Sequence, residues 1–183
     1  QGAQHSFREL SAEMMKKLSA AGVGERPVIF VAHSMGGLMI KEMMMQAGSE
    51  EIITNTKGVV FFSTPHFGSW IASTSWNIFG QRLHNTIHVL RPSEYLRELN
   101  NFFVQLCKKQ DVPVLSFCEA ASTTLLDLGL VALRAGVVPA ESAYPGFGEF
   151  VMLQDRDHIR VCKPMSQKDI SYEKVSHFIT NIL

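Results

Sequence analysis

One serine, one histidine and a choice of two glutamates carry the chemistry that this sequence offers. Ser34 closes the apolar run of "VIFVAHSMGG", residues 28–37, and two glycines follow one residue later. The stretch "AHSMG" fits the strand–nucleophile–helix turn G-x-S-x-G, with Ala32 where the first glycine usually stands. Such a turn holds its serine in a strained backbone conformation and lifts the hydroxyl above a sheet. Positions two before and two after the serine crowd together there, and Ala32 and Gly36 are both small. Gly37 lets the following helix pack close to the strand. At the start of that helix, the amide of Met35 points where an oxyanion would form. An ordinary capping serine would explain Ser34 alone. The apolar strand before it, the second glycine and the helical spacing after it favour the nucleophile.

A serine hydroxyl needs a neighbouring base, and the base needs a carboxylate to orient it. Behind a turn of this kind the chain order is serine, acid, histidine, with the histidine on a loop after the last strand. Of the seven histidines, His158 alone follows a late strand and precedes the closing helix, whereas His177 lies within that helix. His33 adjoins Ser34, but consecutive side chains diverge, so it is a poor base. Glu119, at the carboxyl end of "VPVLSFCE", is the favoured acid and Glu141 in "VVPAESA" is its rival. Asp155 and Asp157 read as solvated loop charges. His66, in "STPHFGS" at the end of the next strand, borders the same pocket and is a candidate substrate contact; a structural hydrogen bond accounts for it equally well. Met35, Met39, Met43, Met44 and Met45 would suit an acyl-chain pocket because methionine adapts to irregular apolar shapes. Their helical spacing assigns most of them to the core instead.

The elements that must position these groups follow from periodicity. Phe7, Leu10, Met14, Met15 and Leu18 recur at helical spacing, and "AAGVG" ends that helix. A strand is expected over Val28–Ala32, then a helix to about Gly48, then a buried strand over Val59–Ser63. From Trp70 to Leu90 the pattern is mixed. A helix from Pro92 to Lys109 shows an apolar face of Tyr95, Leu96, Leu99, Phe102, Phe103 and Leu106. "VPVLSFCE" is a third strand, "GVVPAESA" a short fourth or an extended loop, and "GEFVMLQDRDH" a last strand running into a charged loop. The tail "DISYEKVSHFITNIL" closes as an amphipathic helix. Short apolar strands alternating with helices predict a parallel sheet covered on both faces, with ligands at the carboxyl ends of the strands.

Composition bounds the remaining choices. A chain of 183 residues has room for one domain with a real core. Lys+Arg and Asp+Glu both number 17, and this balance argues against a nucleic-acid surface. The longest strongly apolar window, Leu125–Pro139, is broken by Asp127 and Arg134 and is too short to span a bilayer. Cys107, Cys118 and Cys162 are scattered and odd in number, which disfavours a disulfide framework or zinc site and suggests a reducing compartment. No metal is called for. The opening "QGAQHSFREL" lacks the apolar core of a signal peptide, and Gln1 in first place suggests a piece of a longer chain.

With these pieces assembled, the chain resembles the α/β-hydrolase superfamily, and within it the family of serine active site-containing protein 1, which is related to the lipase domains of the GPI inositol-deacylase type. The resemblance rests on "RPVIFVAHSMGGLMIKEMM", "NTKGVVFFSTPHFGS", "VLSFCE", "VVPAESA" and "DHIRVCKP", in that order, and spans nearly the whole chain. It implies an α/β-hydrolase fold over residues 1–183, with Ser34 as nucleophile, His158 as base and the carboxylate on the Glu119 strand. It also implies a phospholipid ester as substrate, with acyl-chain remodelling of phosphatidylglycerol as the reaction and no cofactor. Contact with a membrane surface is implied as well, at the meeting of mitochondria and endoplasmic reticulum. The sequence departs from the family at its front. Residues 1–27 read as one helix, so the strands that should pair with the outer edge of Val28–Ala32 are lacking. The loop that supplies a second oxyanion donor is lacking too, a loss worth about 100- to 1000-fold in turnover. The isolated piece is therefore expected to be nearly inactive and prone to aggregate through its open edge.

Overall fold

Strands β1 (Val28–His33), β2 (Thr56–Phe62), β3 (Val114–Glu119) and β6 (Glu149–Leu153) lie side by side in that order, all parallel. The register pairs Val31 with Val60, Val60 with Leu115, and Phe117 with Val151. A computed structural model describes residues 2–46, 48–69, 88–121, 123–127, 132–135 and 137–182. The mixed stretch from Trp70 lies outside the described residues as far as 87, and His88–Leu90 forms one 3-10 turn. β2 and β3 sit in the middle of the sheet. Val59, Val60, Phe61, Leu115 and Phe117 are fully buried there, and a strand covered on both faces reads as a continuous apolar run for this reason.

Helices cover both faces. On one side α2 (Met35–Met45) and α4 (Glu94–Gln110) pack Ile40, Met44, Phe103 and Cys107 against Ala32, Val59, Phe61 and Val114. On the other, Val175 and Phe178 of α6 (Ile170–Ile182) lie on Val60, Phe62, Leu115 and Phe117. Phe62 and Phe117 stack there with centroids 4.6 Å apart. α4 starts where the Ser93 side chain accepts the amide of Leu96, and it stops where Asp111 turns left-handed at φ 54°. α1 (Gly2–Ala20) buries Phe7 completely and packs Met14, Met15 and Leu18 against Met43 and Ile52.

The five methionines of α2 divide three ways. Met43 and Met44 are core, Met35 and Met39 are half-buried, and Met45 is exposed. Two features depart from the sequence reading. A short helix, α3 (Glu50–Asn55), precedes β2. β4 (Thr123–Asp127) and β5 (Ala132–Ala135) form a separate antiparallel pair that overlaps the window read only as apolar; strands of five and four residues are too short to display a period. Of the two readings of "GVVPAESA", the loop is the one seen from residue 137 on. Val137 and Val138 are buried in a loop, and Pro139 leads into one helical turn, α5 (Ala140–Ala143). β1 is the edge of the sheet among the described residues, and its Val31 is 54% exposed, an apolar residue of the kind expected on an unpaired edge.

Candidate active site

Parallel strands deliver all their carboxyl ends to one rim, so the residues just beyond β1, β2, β3 and β6 meet there. Ser34 follows β1 with φ 53° and ψ −129°. A non-glycine residue held at positive φ costs about 1–3 kcal/mol. Its amide donates to the carbonyl of Phe62 at 2.8 Å, and its own carbonyl accepts the amide of Gly37 at 3.1 Å, so the strand and the helix together impose the kink. A methyl group added at Gly37 would meet Thr64 Oγ1 at 2.2 Å and Phe61 at 2.8 Å. Only glycine lets α2 approach this closely. At Gly36 an added Cβ would stand 4.0 Å from the Ala32 Cβ, an ordinary contact.

Ser34 Oγ lies 3.0 Å from His158 Nε2, and His158 Nδ1 lies 3.1 Å from Glu119 Oε1. All three residues are buried. Glu119 is further held by the amide of Val138, which donates to Oε1 at 2.9 Å, and by the hydroxyl of Ser63, which donates to Oε2. Burial pushes the Glu119 carboxyl up, but the hydrogen bonds from His158, Ser63 and Val138 outweigh it and leave the group below the usual carboxylate range. A carboxylate only accepts, so His158 Nδ1 carries the proton and Nε2 is left to accept from the Ser34 hydroxyl. Met35 is the first residue of α2, and the first amides of a helix have no acceptor within it.

The structure brings Ser34, His158 and Glu119 together and leaves Glu141 out: Glu141 is exposed on α5. His66 requires a correction. It is not an open substrate contact but is fully buried, with Nδ1 2.6 Å from Lys41 Nζ and its ring edge-on to Phe61 at 4.8 Å. Lys41, also fully buried, donates to Asn100 Oδ1 at 2.7 Å and sits over the rings of Phe61 and Phe103. Burial pushes both Lys41 and His66 well below their ordinary values. Asp157 is more than a solvated charge: its Oδ1 accepts the amides of Ile159 and Arg160 at 3.0 and 2.8 Å and shapes the His158 loop.

Sequence reasoning passed over Ser63, Lys41 and Asn100. Ser63 sits at φ 45° at the end of β2, and the only hint of its role is a polar residue closing the "VVFF" run. Burial pushes the thiols of Cys107 and Cys118 up to about 12, so neither is a ready nucleophile. Among the described residues no group of three or more His, Cys, Asp or Glu side chains is placed to hold a metal ion, and no helix is long and apolar enough to cross a membrane.

A parallel sheet covered on both faces, with a kinked serine turn after an apolar strand, is the α/β-hydrolase fold. The fold is shared with a mature Bacillus licheniformis lipase (TM-score 0.61, 15% identity, all of this chain and 75% of that one). It is shared more loosely with a Legionella pneumophila phospholipase (TM-score 0.52, 12% identity, all of this chain and 51% of that one). No family model matches the sequence. In sequence the chain is similar to the SERAC1 proteins. It is 40% identical to that of Danio rerio and 36% to that of Homo sapiens, each over 94% of its length. It spans about a quarter of those relatives, 26% and 27% respectively.

Proposed function

We propose that this chain carries the reaction centre of a serine esterase acting on lipid esters through an acyl-Ser34 intermediate. The observation that carries the reading is the relay Ser34–His158–Glu119, with its 3.0 and 3.1 Å steps, on a strained turn. His158 Nε2 takes the hydroxyl proton as Ser34 Oγ attacks the ester carbonyl. The Met35 amide stabilises the oxyanion of the tetrahedral intermediate. His158 then returns the proton to the leaving alcohol, and the acyl group stays on Ser34. Water or a second lipid hydroxyl, deprotonated by the same imidazole, releases it as acid or new ester. Glu119 holds Nδ1–H and stabilises the imidazolium that forms between these steps.

Kinship with the SERAC1 proteins, and a fold shared with a lipase and a phospholipase, support a lipid substrate. Remodelling of phosphatidylglycerol acyl chains, at a membrane where mitochondria and endoplasmic reticulum meet, is the finer reading proposed here. A fluorophosphonate probe should label Ser34 in the protein that carries this sequence. Absence of labelling, or labelling that survives Ser34→Ala, would overturn the proposal. The competing reading is a lipid-binding module that keeps the hydrolase frame without catalysis. It draws on the Met35 amide being the one oxyanion donor identified among the described residues. A folded Ser34→Ala protein with full cellular function would favour it.

A further inference from the structure

His33 was set aside as a base because it adjoins the nucleophile, yet it is committed to the reaction centre in another way. Its Nε2 lies 2.7 Å from the carbonyl oxygen of His158. A carbonyl can only accept, so Nε2 carries the proton and donates. The two rings lie side by side, centroids 4.9 Å apart and tilted by 43°. His33 is the last residue of β1, in register with Phe62. The bond therefore ties the loop that carries the base to the strand that presents the nucleophile.

We propose that His33 is a positioning residue whose Nε2–H fixes the height and tilt of the His158 loop over Ser34. The proposal rests on the reading of Ser34 and His158 as nucleophile and base. Besides the bonds of the His158 ring itself to Ser34 and Glu119, the loop has ties that run elsewhere. Asp157 folds it locally, Ala121 donates to the carbonyl of Arg156 at 3.0 Å, and Arg156 pairs with Asp169. These ties set the loop relative to β3 and α6. A hydrogen bond to β1 adds the dimension along which the imidazole must meet the hydroxyl.

His33 is suited to this role by its charge state. Burial first, and then the neighbouring His158, push its pKa down. Lys163 acts in the same direction, while the hydrogen bond to the His158 carbonyl and the charge of Glu119 oppose it. The outcome is a neutral ring that donates at Nε2 without setting a second positive charge beside the imidazolium formed in catalysis.

Two substitutions remove the donor, His33→Phe and His33→Met, and one restores an N–H at similar reach, His33→Gln. In the protein that carries this sequence, the readouts are the fluorophosphonate labelling rate of Ser34, and kcat and KM on a soluble short-chain ester. Misplacing a catalytic group by about 1 Å costs on the order of 100-fold. The donor-less variants should lose about that factor in labelling rate and kcat with KM little changed, and His33→Gln should recover most of it. A merely structural His33 would lower melting temperature in all three without this split. Wild-type labelling in either folded donor-less variant, or no recovery in folded His33→Gln, would overturn the proposal. A wild-type protein that is not labelled at all would instead defeat the underlying reading, and the present one with it.

Discussion

Two buried histidines stand among the described residues, each bonded to a charged-type side chain, and their surroundings are opposite in kind. His158 meets a carboxylate on one nitrogen and a strained hydroxyl on the other. His66 meets an amine, with Asn100 and two phenyl rings closing the space around it. The first arrangement suits proton transfer in a defined direction, because an acceptor-only carboxylate fixes the tautomer. In the second, His66 bonds neither a carboxylate nor a hydroxyl through its ring among the described residues, and it has no exposed face. The cluster joins the helix behind Ser34 to α4 and to the loop that follows β2, and Asn100 extends it by donating to the carbonyl of Pro145 at 3.0 Å. Burial alone does not make a reaction centre. The partner's chemistry does.

The contrast is sharpened most strongly at the carboxylate. Glu119→Gln leaves the shape of the site but removes the anion that fixes His158, and the serine-triad precedent is a loss of about 10,000-fold. The Ser34 labelling rate should fall to that degree, while Glu141→Gln, on an exposed turn, should label like wild type. Equal losses at the two positions would erase the distinction between them.

At the second cluster the expected effect is on stability rather than turnover. Lys41 is held well below the usual lysine range by burial, so between its lowered value and about 10.4 the unfolded chain binds more protons than the native one. Stability should rise with pH across that window, and Lys41→Met should flatten the rise. A wild-type melting temperature that does not climb from neutral pH towards pH 10 would count against the buried amine.

The smallest effect joins the two halves. Ser63 donates to Glu119, and loss of one hydrogen bond to a charged group costs about 1.5–3 kcal/mol. Because the Glu119 pKa is depressed, its stabilisation is present above the unfolded value of about 4.3 and is lost as pH falls through the lower native value. Ser63→Ala should move that acid-side loss of stability to higher pH and slow labelling roughly tenfold or more. An unchanged acid limb would show that Ser63 does not hold the acid.

Much of this was legible in the chain. Long periodic segments such as Glu94–Gln110, and fully apolar strands such as Val114–Glu119, declare themselves because burial on one or both faces leaves its own repeat. Ser34 was legible because a kinked turn tolerates only small neighbours at 32, 36 and 37. The order serine, glutamate, histidine followed from where strands end. The antiparallel pair of Thr123–Asp127 and Ala132–Ala135 was not legible, since so few residues display no period.

Sequence by itself therefore determined the sheet, the turn and the short roster of groups able to react, because these depend on neighbours close along the chain. Only the tertiary structure decided between Glu119 and Glu141, sealed His66 behind Lys41, and set Ser63 and His33 around the acid and the base. Those assignments depend on distances between residues 56 and 125 positions apart, bridged by Ser63 with Glu119 and by His33 with His158. No local pattern encodes such a pairing, because it arises only when parallel strands bring their carboxyl ends to a common rim.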